Sequence, residues 1–462
     1  MIRPRISVLA ALALSLGACP VDKLVVSNGD NANGGTGGGA ATGATGGAVT
    51  SVTPPDGPAS GGTTGAGAVA GTGGDSTTAP ITTAGTASGG ITVVPDAGSG
   101  GQAADVGGVV AGSGGATSPG GSGGAGGATA TGGTAGSGFG PCDIYAAASP
   151  ATPCVAAYSM VRVLSRAYSG PLYQVRNGSS NSNTGTGGTT RDIGATADGF
   201  ADAASQDAFC SGSICTVSIL YDQSGNNNHL RVAPKGLMAG GEYADKDDFE
   251  SSATRGAMTV ARHKVYSLYM NPREGYRLTA VGTGMPVGNS EQGIYMLMDG
   301  TRSGTTCCWD FGNASPDPMN PGLSNALFFG TAFWGKGAGT GPWFMSDLGS
   351  GVWAGGSGES FAVNSNNPSM NVPFAFGTLK TGPGQYAIRV ADLQSASDLT
   401  TAYDGASPTP WANGGGIILG IASDNSNGSY GTFFEGAITA GRPSNDTDLA
   451  VFRNVQAVGY TK

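Results

Sequence analysis

Histidine is nearly missing from this chain of 462 residues, which contains two, His229 and His263, far apart in the sequence. Neither histidine has a cysteine or glutamate at the spacing of metal ligands. This scarcity argues against a zinc site and against a catalytic triad built on histidine. We therefore expect neither a metal nor a cofactor.

Positive charge is also scarce. Lysine and arginine total 22 against 31 aspartates and glutamates, which gives a formal net charge of −9. After the first few residues the chain has no Lys/Arg-rich block. Because phosphate binding needs a basic surface, nucleic acid is not an expected partner.

The N-terminal apolar run is short. It extends from Ile6 to Leu16 after two arginines, which is too short to cross a bilayer and is typical of an export signal. Its end, "LGAC" (16–19), resembles the lipobox of bacterial lipoproteins. The resemblance implies a signal peptide over residues 1–18, a lipid on Cys19, and membrane anchoring at the cell envelope or cell surface. The alternative is an ordinary secreted protein cleaved near Ala18.

Cysteine is sparse, and its count is informative. Seven cysteines less a lipidated Cys19 leave six, and an exported protein keeps paired thiols oxidised. The six fall into three pairs of sequence neighbours. The simplest pairing is three local disulfides: Cys142–Cys154, Cys210–Cys215 and Cys307–Cys308.

Glycine is abundant, with 85 residues, and it is concentrated in the first third of the chain. Residues 19–139 consist mainly of Gly, Ala, Thr and Ser, a composition with too little apolar surface to fold. We predict a disordered tether there. The composition changes at Gly140, and residues 140–462 are predicted to form one globular domain.

Within that domain, short segments rich in β-branched and aromatic residues lie between clusters of Gly, Asn, Asp and Pro, a pattern typical of strands. These segments are "CTVSILYD" (215–222), "GIYMLMDG" (293–300), "QYAIRVAD" (385–392), "GGIILGIAS" (415–423) and "GTFFEGAITAG" (431–441). One segment, residues 153–170, has helical spacing instead. The pattern predicts an all-β sandwich with one or two short helices.

Cys307 and Cys308 are adjacent, which makes their disulfide geometrically demanding. Bridged cysteines normally keep their Cα atoms about 4.4–6.8 Å apart, whereas chain neighbours lie at about 3.8 Å, or about 2.9 Å across a cis peptide. Such strained features tend to persist at functional sites. The alternative is a pair of free or separately bonded thiols.

Several segments together resemble the catalytic domain of α-L-arabinofuranosidase B, glycoside hydrolase family 54. They follow the family's order over essentially all of residues 140–462: "GPCDIY" (140–145), "TPCVAAYS" (152–159), "LYQV" (172–175), "ASQDAFC" (204–210), "ILYDQSGNNNHL" (219–230), "CCWDFGNA" (307–314), "WGKGAGTGPWFM" (334–345) and "ILGIASDNSNGSYGTFFEG" (418–436).

The resemblance implies a jelly-roll or concanavalin-like β-sandwich of the clan-B glycosidase type. It also implies a pocket for a terminal, non-reducing-end L-arabinofuranosyl unit. The β-trefoil that often follows in the family is not expected, because the sequence ends where the sandwich should end.

By the same resemblance, Asp424 in the "DNSN" loop is the acid/base, and Asp347 holds the sugar. Cys307 and Cys308 lie beneath the bound arabinose, and Trp334 lines the pocket. Ser423 replaces a glycine whose backbone faces the sugar in the family. Read without the resemblance, Asp424 would only cap a turn, and Trp334 would be an ordinary core residue.

The nucleophile departs from the family pattern. The family places a glutamate in Trp-x-Met-x-Asp-x-Glu, and the matching "WFMSDLG" (343–349) ends in Gly349. The retaining mechanism needs two carboxyl groups about 5–5.5 Å apart. Three alternatives remain: a shifted register that brings in Glu359, an inverting pair of Asp347 with Asp424, or a pocket that binds without turnover.

The first hypothesis is an exported, lipid-anchored α-L-arabinofuranosidase, retaining in the family, that acts on arabinan or arabinoxylan side chains. The second is a surface carbohydrate-binding protein without catalysis, and the third is a structural surface protein. Asp222 is predicted to order a turn. The acidic segment "DKDDFE" (245–250) is predicted to be a solvated loop.

Overall fold

The computed structural model describes residues 140–238, 246–331, 335–349, 351–408 and 410–461. The predicted signal peptide, tether and lipidated Cys19 lie outside the described residues, as does Trp334. No helix among the described residues is long and apolar enough to span a membrane.

The described residues form nineteen strands and three helices. In chain order the strands are β1 (Cys154–Ser159), β2 (Tyr173–Asn177), β3 (Thr189–Ile193), β4 (Cys215–Leu220), β5 (Leu230–Val232), β6 (Ala257–Val260), β7 (His263–Tyr266), β8 (Leu268–Met270), β9 (Tyr276–Leu278), β10 (Gln292–Ser303), β11 (Asp310–Ala314), β12 (Ser324–Gly330), β13 (Trp343–Leu348), β14 (Val352–Trp353), β15 (Ala375–Gly382), β16 (Gln385–Asp392), β17 (Thr400–Ala406), β18 (Gly416–Leu419) and β19 (Gly431–Ala440). The helices are α1 (Pro141–Ala147), α2 (Ala203–Cys210) and α3 (Asn445–Ala457).

The strands assemble into two large antiparallel sheets and one hairpin. A seven-stranded sheet has the order β1-β19-β10-β15-β16-β17, with β8 also pairing with β19. A ten-stranded sheet has the order β14-β13-β12-β11-β18-β9-β5-β4-β2-β3, and β6 pairs with β7. Sequence neighbours such as β15 and β16 pair directly, whereas β11 and β18 come together from distant parts of the chain.

The two large sheets pack face to face. One continuous apolar cluster contains Ile294 and Leu379 from the seven-stranded sheet and Phe311, Leu327 and Phe344 from the ten-stranded sheet. Because side chains alternate along a strand, the residue on either side of each of these points to the opposite, outer face of its sheet. The predicted β-sandwich is therefore confirmed.

Helices α1 and α3 cover the outer face of the seven-stranded sheet. Tyr145 of α1 and Phe452 of α3 join Tyr295 and Phe376 of the sheet in a second apolar cluster. Ser444 caps α3, where its side chain accepts a hydrogen bond of 3.1 Å from the Thr447 N–H. The outer face of the ten-stranded sheet is not covered by these helices, and it carries the candidate site.

The predicted helix over residues 153–170 is wrong, and this segment begins with β1. All six residues of β1 are buried, and the strand pairs with β19. A strand that is buried on both faces has apolar residues in succession, and some of them then match helical spacing by chance. The three helices of the described chain lie elsewhere.

The structure contains the three predicted disulfides. The Cα atoms of Cys142 and Cys154 are 5.3 Å apart, and those of Cys210 and Cys215 are 5.4 Å apart. The Cys307–Cys308 bridge joins chain neighbours across a cis peptide bond, with Cα atoms 3.0 Å apart.

Candidate active site

Asp347 lies on the outer face of the ten-stranded sheet. On β13 it alternates with Phe344 and Leu348, which pack into the core between the sheets, so Asp347 and Met345 point the other way. Its backbone partner on the neighbouring strand β12 is Ala326, a small residue that leaves room above the sheet. Asp347 is 7 % exposed, so its carboxyl group is almost fully removed from solvent.

Asp310, on β11, is a second buried carboxyl group at the same place. Its backbone is paired with Phe328 of β12, which puts it on the same face of the sheet as Asp347, and the two carboxyl groups are close enough to interact. The sequence did not mark this residue as functional. Its position directly after the cysteine pair and tryptophan in "CCWD" was the available signal, but a lone aspartate at the start of a strand has many ordinary explanations.

Asp424 supplies a third carboxyl group from the loop after β18. It is half-buried, and its Oδ1 accepts a hydrogen bond of 2.9 Å from the Ser426 N–H. Its negative charge acts on both Asp310 and Asp347. We call Asp310, Asp347 and Asp424 the carboxyl cluster.

Burial and repulsion between acids raise the pKa values of Asp310 and Asp347. Burial raises the pKa of Asp347 to about 7, and the charge of Asp424 acts in the same direction. The nearby side chains of Asp310 and Ser324 partly oppose that shift. Burial first, and then repulsion by Asp347, hold the pKa of Asp310 well above its usual range. At neutral pH Asp310 and Asp347 therefore hold a proton that exposed aspartates would lose.

A buried arginine fixes the start of the Asp424 loop. The Arg277 guanidinium donates hydrogen bonds to the carbonyl oxygens of Ser423 at 2.8 Å and of Ser315 at 2.6 Å. Burial lowers the pKa of Arg277 to about 10, while the nearby charge of Asp424 opposes the shift. Arg277 thus places a positive charge next to the carboxyl cluster and ties the loop to β9.

Asp248 fixes the other end of the loop. Its Oδ1 accepts hydrogen bonds from the side-chain amides of Asn427 at 2.5 Å and Asn425 at 3.3 Å. Both Asp248 and Glu250 are fully buried, so the prediction of a solvated loop is wrong for this part of "DKDDFE". A charge pattern cannot reveal that asparagines from a distant loop will cover Asp248. Glu250 is bonded instead by Arg176, Asn183 and Thr216.

The vicinal disulfide packs beside the carboxyl cluster. Cys307 and Cys308 belong to a buried apolar group with Met345, Val352 and Ala422, which come from β13, β14 and the start of the Asp424 loop. The Gly428 N–H donates a hydrogen bond of 3.2 Å to the Cys307 carbonyl. The bridge therefore provides an apolar surface next to charged groups, as a sugar pocket requires.

Gly349 directly follows β13, on the strand that carries Asp347. Its φ is +68°, and a Cβ atom built there would have open space, with no atom within 4 Å. The Gly349 N–H donates to the Ser324 carbonyl at 3.0 Å. A longer side chain would thus meet space rather than protein, but the backbone conformation favours glycine.

The remaining predicted residues have different surroundings. The Ser423 hydroxyl donates to the Leu323 carbonyl at 3.0 Å and accepts from the Ser315 N–H at 3.3 Å. That hydroxyl is therefore already bonded within the protein. Glu359, the alternative second carboxyl, is exposed in the segment after β14. The contacts of Trp334 lie outside the described residues.

The family model described as "Alpha-L-arabinofuranosidase B, catalytic" matches residues 141–461. The chain belongs to this family. Membership explains why the disulfide, Asp347 and the Asp424 loop occur together on one sheet.

Among its relatives in the arabinofuranosidase B family, a probable α-L-arabinofuranosidase B of Aspergillus clavatus is 43 % identical over 328 residues, covering 69 % of this chain and 62 % of the relative. An arabinofuranosidase/β-xylosidase of Trichoderma koningii is 43 % identical over 329 residues, covering 70 % and 63 %. The chain thus spans less than two-thirds of the length of these relatives.

Solved structures agree with this assignment. An arabinofuranosidase in complex with arabinofuranosyl-α-1,2-xylobiose is 41 % identical, with a TM-score of 0.64 over 70 % of this chain and 66 % of the other. A glutamate-to-glutamine mutant of a family 54 α-L-arabinofuranosidase, soaked with 4-nitrophenyl α-L-arabinofuranoside, is 40 % identical with the same TM-score and coverage.

Proposed function

We propose that residues 140–462 form an α-L-arabinofuranosidase domain that removes terminal arabinofuranosyl units from polysaccharides of the arabinan or arabinoxylan type. The observation that carries this proposal is the carboxyl cluster beside an apolar disulfide surface. Hydrolysis of a glycoside needs one carboxyl group to protonate the leaving oxygen and a second on the other side of the sugar.

In this proposal Asp424 is the acid, because it lies in a loop at the edge of the pocket and is more exposed than the other two carboxyl groups. Asp347 is the second carboxyl group, since Gly349 has no side chain to offer. A base that activates water leads to inversion, whereas direct attack on the sugar leads to retention. We favour inversion, because Asp347 is one methylene shorter than a glutamate and precedes the position of the family nucleophile.

One specific observation favours a second function. Gly349 lacks the nucleophilic group of the family, so the same pocket would also suit a protein that binds arabinofuranosides without cleaving them. Binding requires the apolar surface and the hydrogen-bonding groups but not a nucleophile.

Release of arabinose from 4-nitrophenyl α-L-arabinofuranoside by the purified chain separates the two functions. If the chain is a hydrolase, the wild type should release arabinose, and Asp424→Asn and Asp347→Asn should not. Proton NMR of the first product shows its anomeric form, and a β-anomer supports inversion. An α-anomer excludes it.

The matched variant Gly349→Glu tests the binding function. If only this variant turns over, the wild type is a binding protein, and arabinofuranosides should raise its melting temperature. Absence of both turnover and stabilisation contradicts both functions.

We also propose that the chain is exported and anchored through a lipid on Cys19, with the polysaccharide and the membrane as its partners. The support is the "LGAC" sequence after a short apolar run. Incorporation of labelled palmitate into the wild type but not into Cys19→Ser tests this. A wild type released without label contradicts it.

A further inference from the structure

Asp310 is an unusual buried acid, because nothing in the described structure supports its charge. Its side chain is fully buried, and no N–H or hydroxyl group of the described residues donates a hydrogen bond to either carboxyl oxygen. An isolated carboxylate in such a place is very costly, so the group remains protonated or shares a proton. Asp222 is a useful contrast, because its buried carboxylate accepts hydrogen bonds from several donors.

The group that interacts with Asp310 is another acid, Asp347. A hydrogen bond between two carboxyl groups requires one proton, since an ionised carboxylate is only an acceptor. Two carboxyl groups at one site do not both ionise near neutral pH, because their charges repel each other. The pair therefore holds a single proton over a range of pH.

The surroundings place that proton on Asp310. Asp310 is 0 % exposed, whereas Asp347 is 7 % exposed and has the Ser324 hydroxyl beside it to stabilise a charge. The charged and titratable groups facing this pair come from two further elements. Asp424 approaches from the loop after β18, and Arg277 of β9 interacts with Asp424. Arg277 donates to carbonyl oxygens, so it does not compete for the pair.

We propose that Asp310 is a positioning residue, a neutral carboxylic acid that donates a hydrogen bond to Asp347 and thereby holds Asp347 ionised and oriented toward the sugar. This inference rests on the proposed function, in which Asp347 is the second carboxyl group. Asp310 itself is 0 % exposed and so is less accessible than Asp347, which is 7 % exposed. Its role explains why an acid with no other bonding partner occupies the interior of the site.

The role of Asp310 in turnover is tested by two variants that differ in one property. Asp310→Asn keeps a donor to Asp347 and the same shape, whereas Asp310→Ala removes the donor. If Asp347 must be ionised, turnover rises with pH through the pKa of Asp347. Loss of a donor to an ionised group raises that pKa, so the rising limb of the pH profile in Asp310→Ala moves upward by about one pH unit.

In Asp310→Asn the rising limb of the pH profile should lie within about 0.3 pH unit of its wild-type position. Turnover should stay within about threefold of wild type, since one hydrogen bond of similar strength is retained. Ser324→Ala is a second control, because the Ser324 side chain also lowers the pKa of Asp347. It should move the rising limb of the pH profile upward by a smaller amount than Asp310→Ala does. Equal pH profiles in the wild type, Asp310→Asn and Asp310→Ala overturn the proposal.

A second measurement does not depend on catalysis. Infrared difference spectra at pH 8 between wild type and Asp310→Asn should show the carbonyl band of a protonated carboxyl group only in the wild type. If that band is missing from the wild type or persists in Asp310→Asn, the inference is wrong even where turnover is normal. If the band is as expected but the wild type does not turn over, the proposed function fails and the protonated pair stands.

Discussion

The carboxyl groups of Asp310 and Asp347 interact above β12, although their strands, β11 and β13, do not pair with each other. Phe328 and Ala326 of β12 are the backbone partners of the two residues. A strand that separates two acids in the sheet thus brings their side chains together above it. The arrangement brings two buried acidic groups together, and this has measurable costs.

Asp347→Asn should stabilise the domain, and more so as pH rises. The folded-state pKa of Asp347 is raised to about 7, so between about pH 4 and 7 the unfolded chain releases a proton that the folded chain retains. Stability therefore falls as pH rises through this window, by at most about 4 kcal/mol for this group. The asparagine in Asp347→Asn does not titrate, so the variant avoids that loss of stability.

Thermal melts at pH 5 and pH 8 would measure the effect of Asp347→Asn. The gain should reach a few degrees at pH 8 and be smaller at pH 5. Glu359→Gln is the matched control, because Glu359 is exposed. An equal change at both pH values would contradict the expected linkage.

Asp248→Ala should loosen the loop that carries Asp424. It removes the acceptor of the side-chain bonds from Asn425 and Asn427, whereas Asp248→Asn keeps one acceptor oxygen. Amide hydrogen exchange over residues 422–427 should accelerate about tenfold or more in Asp248→Ala, in line with the loss of about 1.5 kcal/mol or more of anchoring. Much smaller changes are expected in Asp248→Asn.

The same pair of Asp248 variants gives a functional readout. Arabinofuranoside binding or turnover should fall in Asp248→Ala and stay within about threefold of wild type in Asp248→Asn, because the amide keeps a hydrogen bond of about 1 kcal/mol. A loop that exchanges normally in both variants would show that Arg277 alone fixes Asp424.

Asp222→Ala should destabilise the fold without changing the site. The Asp222 carboxylate accepts bonds from the backbone N–H groups of Ala157 at 2.9 Å, Ser224 at 2.8 Å and Asn228 at 3.0 Å. Leaving these donors unpaired should cost about 3 kcal/mol, measured by urea unfolding. Ligand affinity per folded molecule should be unchanged, and a selective loss of affinity would give Asp222 a functional role.

Gly349→Ala should cost about 1 kcal/mol in unfolding free energy, because φ is +68° while the surrounding space is open. Gly358→Ala is the control, since that site is equally open and its φ is not in the left-handed region. It should change stability by less than about 0.5 kcal/mol. Equal losses in the two variants would remove the conformational explanation for Gly349.

Much of the sheet structure was predictable from alternation. The segment 385–392 is β16 from its first residue to its last, and "GTFFEGAITAG" (431–441) contains all of β19. Segment 153–170 failed, because β1 is buried on both faces and local periodicity does not describe such a strand. Alternation of apolar and polar residues marks a strand with one buried face. It therefore misleads for strands that are buried on both faces.

The site was predictable only where a motif marks it. Asp347 and Asp424 were predicted through the resemblance, and the structure brings both into one carboxyl cluster. Asp310 and Asp248 were missed because their roles depend on partners more than thirty residues away in the sequence, Asp347 for the first and Asn425 and Asn427 for the second. Only the pairing of the strands shows which acids meet.

The pairing of β18 with both β11 and β9 also sets the order of folding events at the site. Asp424 follows β18, so it meets Asp310 and Asp347 only after a contact between sequence-distant strands has formed. Such contacts are slow because long loops must close first. A chain leaving the ribosome therefore lacks the complete site until β18 and Asp424 have emerged. Recovery of ligand binding during refolding should thus report the late closure of the ten-stranded sheet.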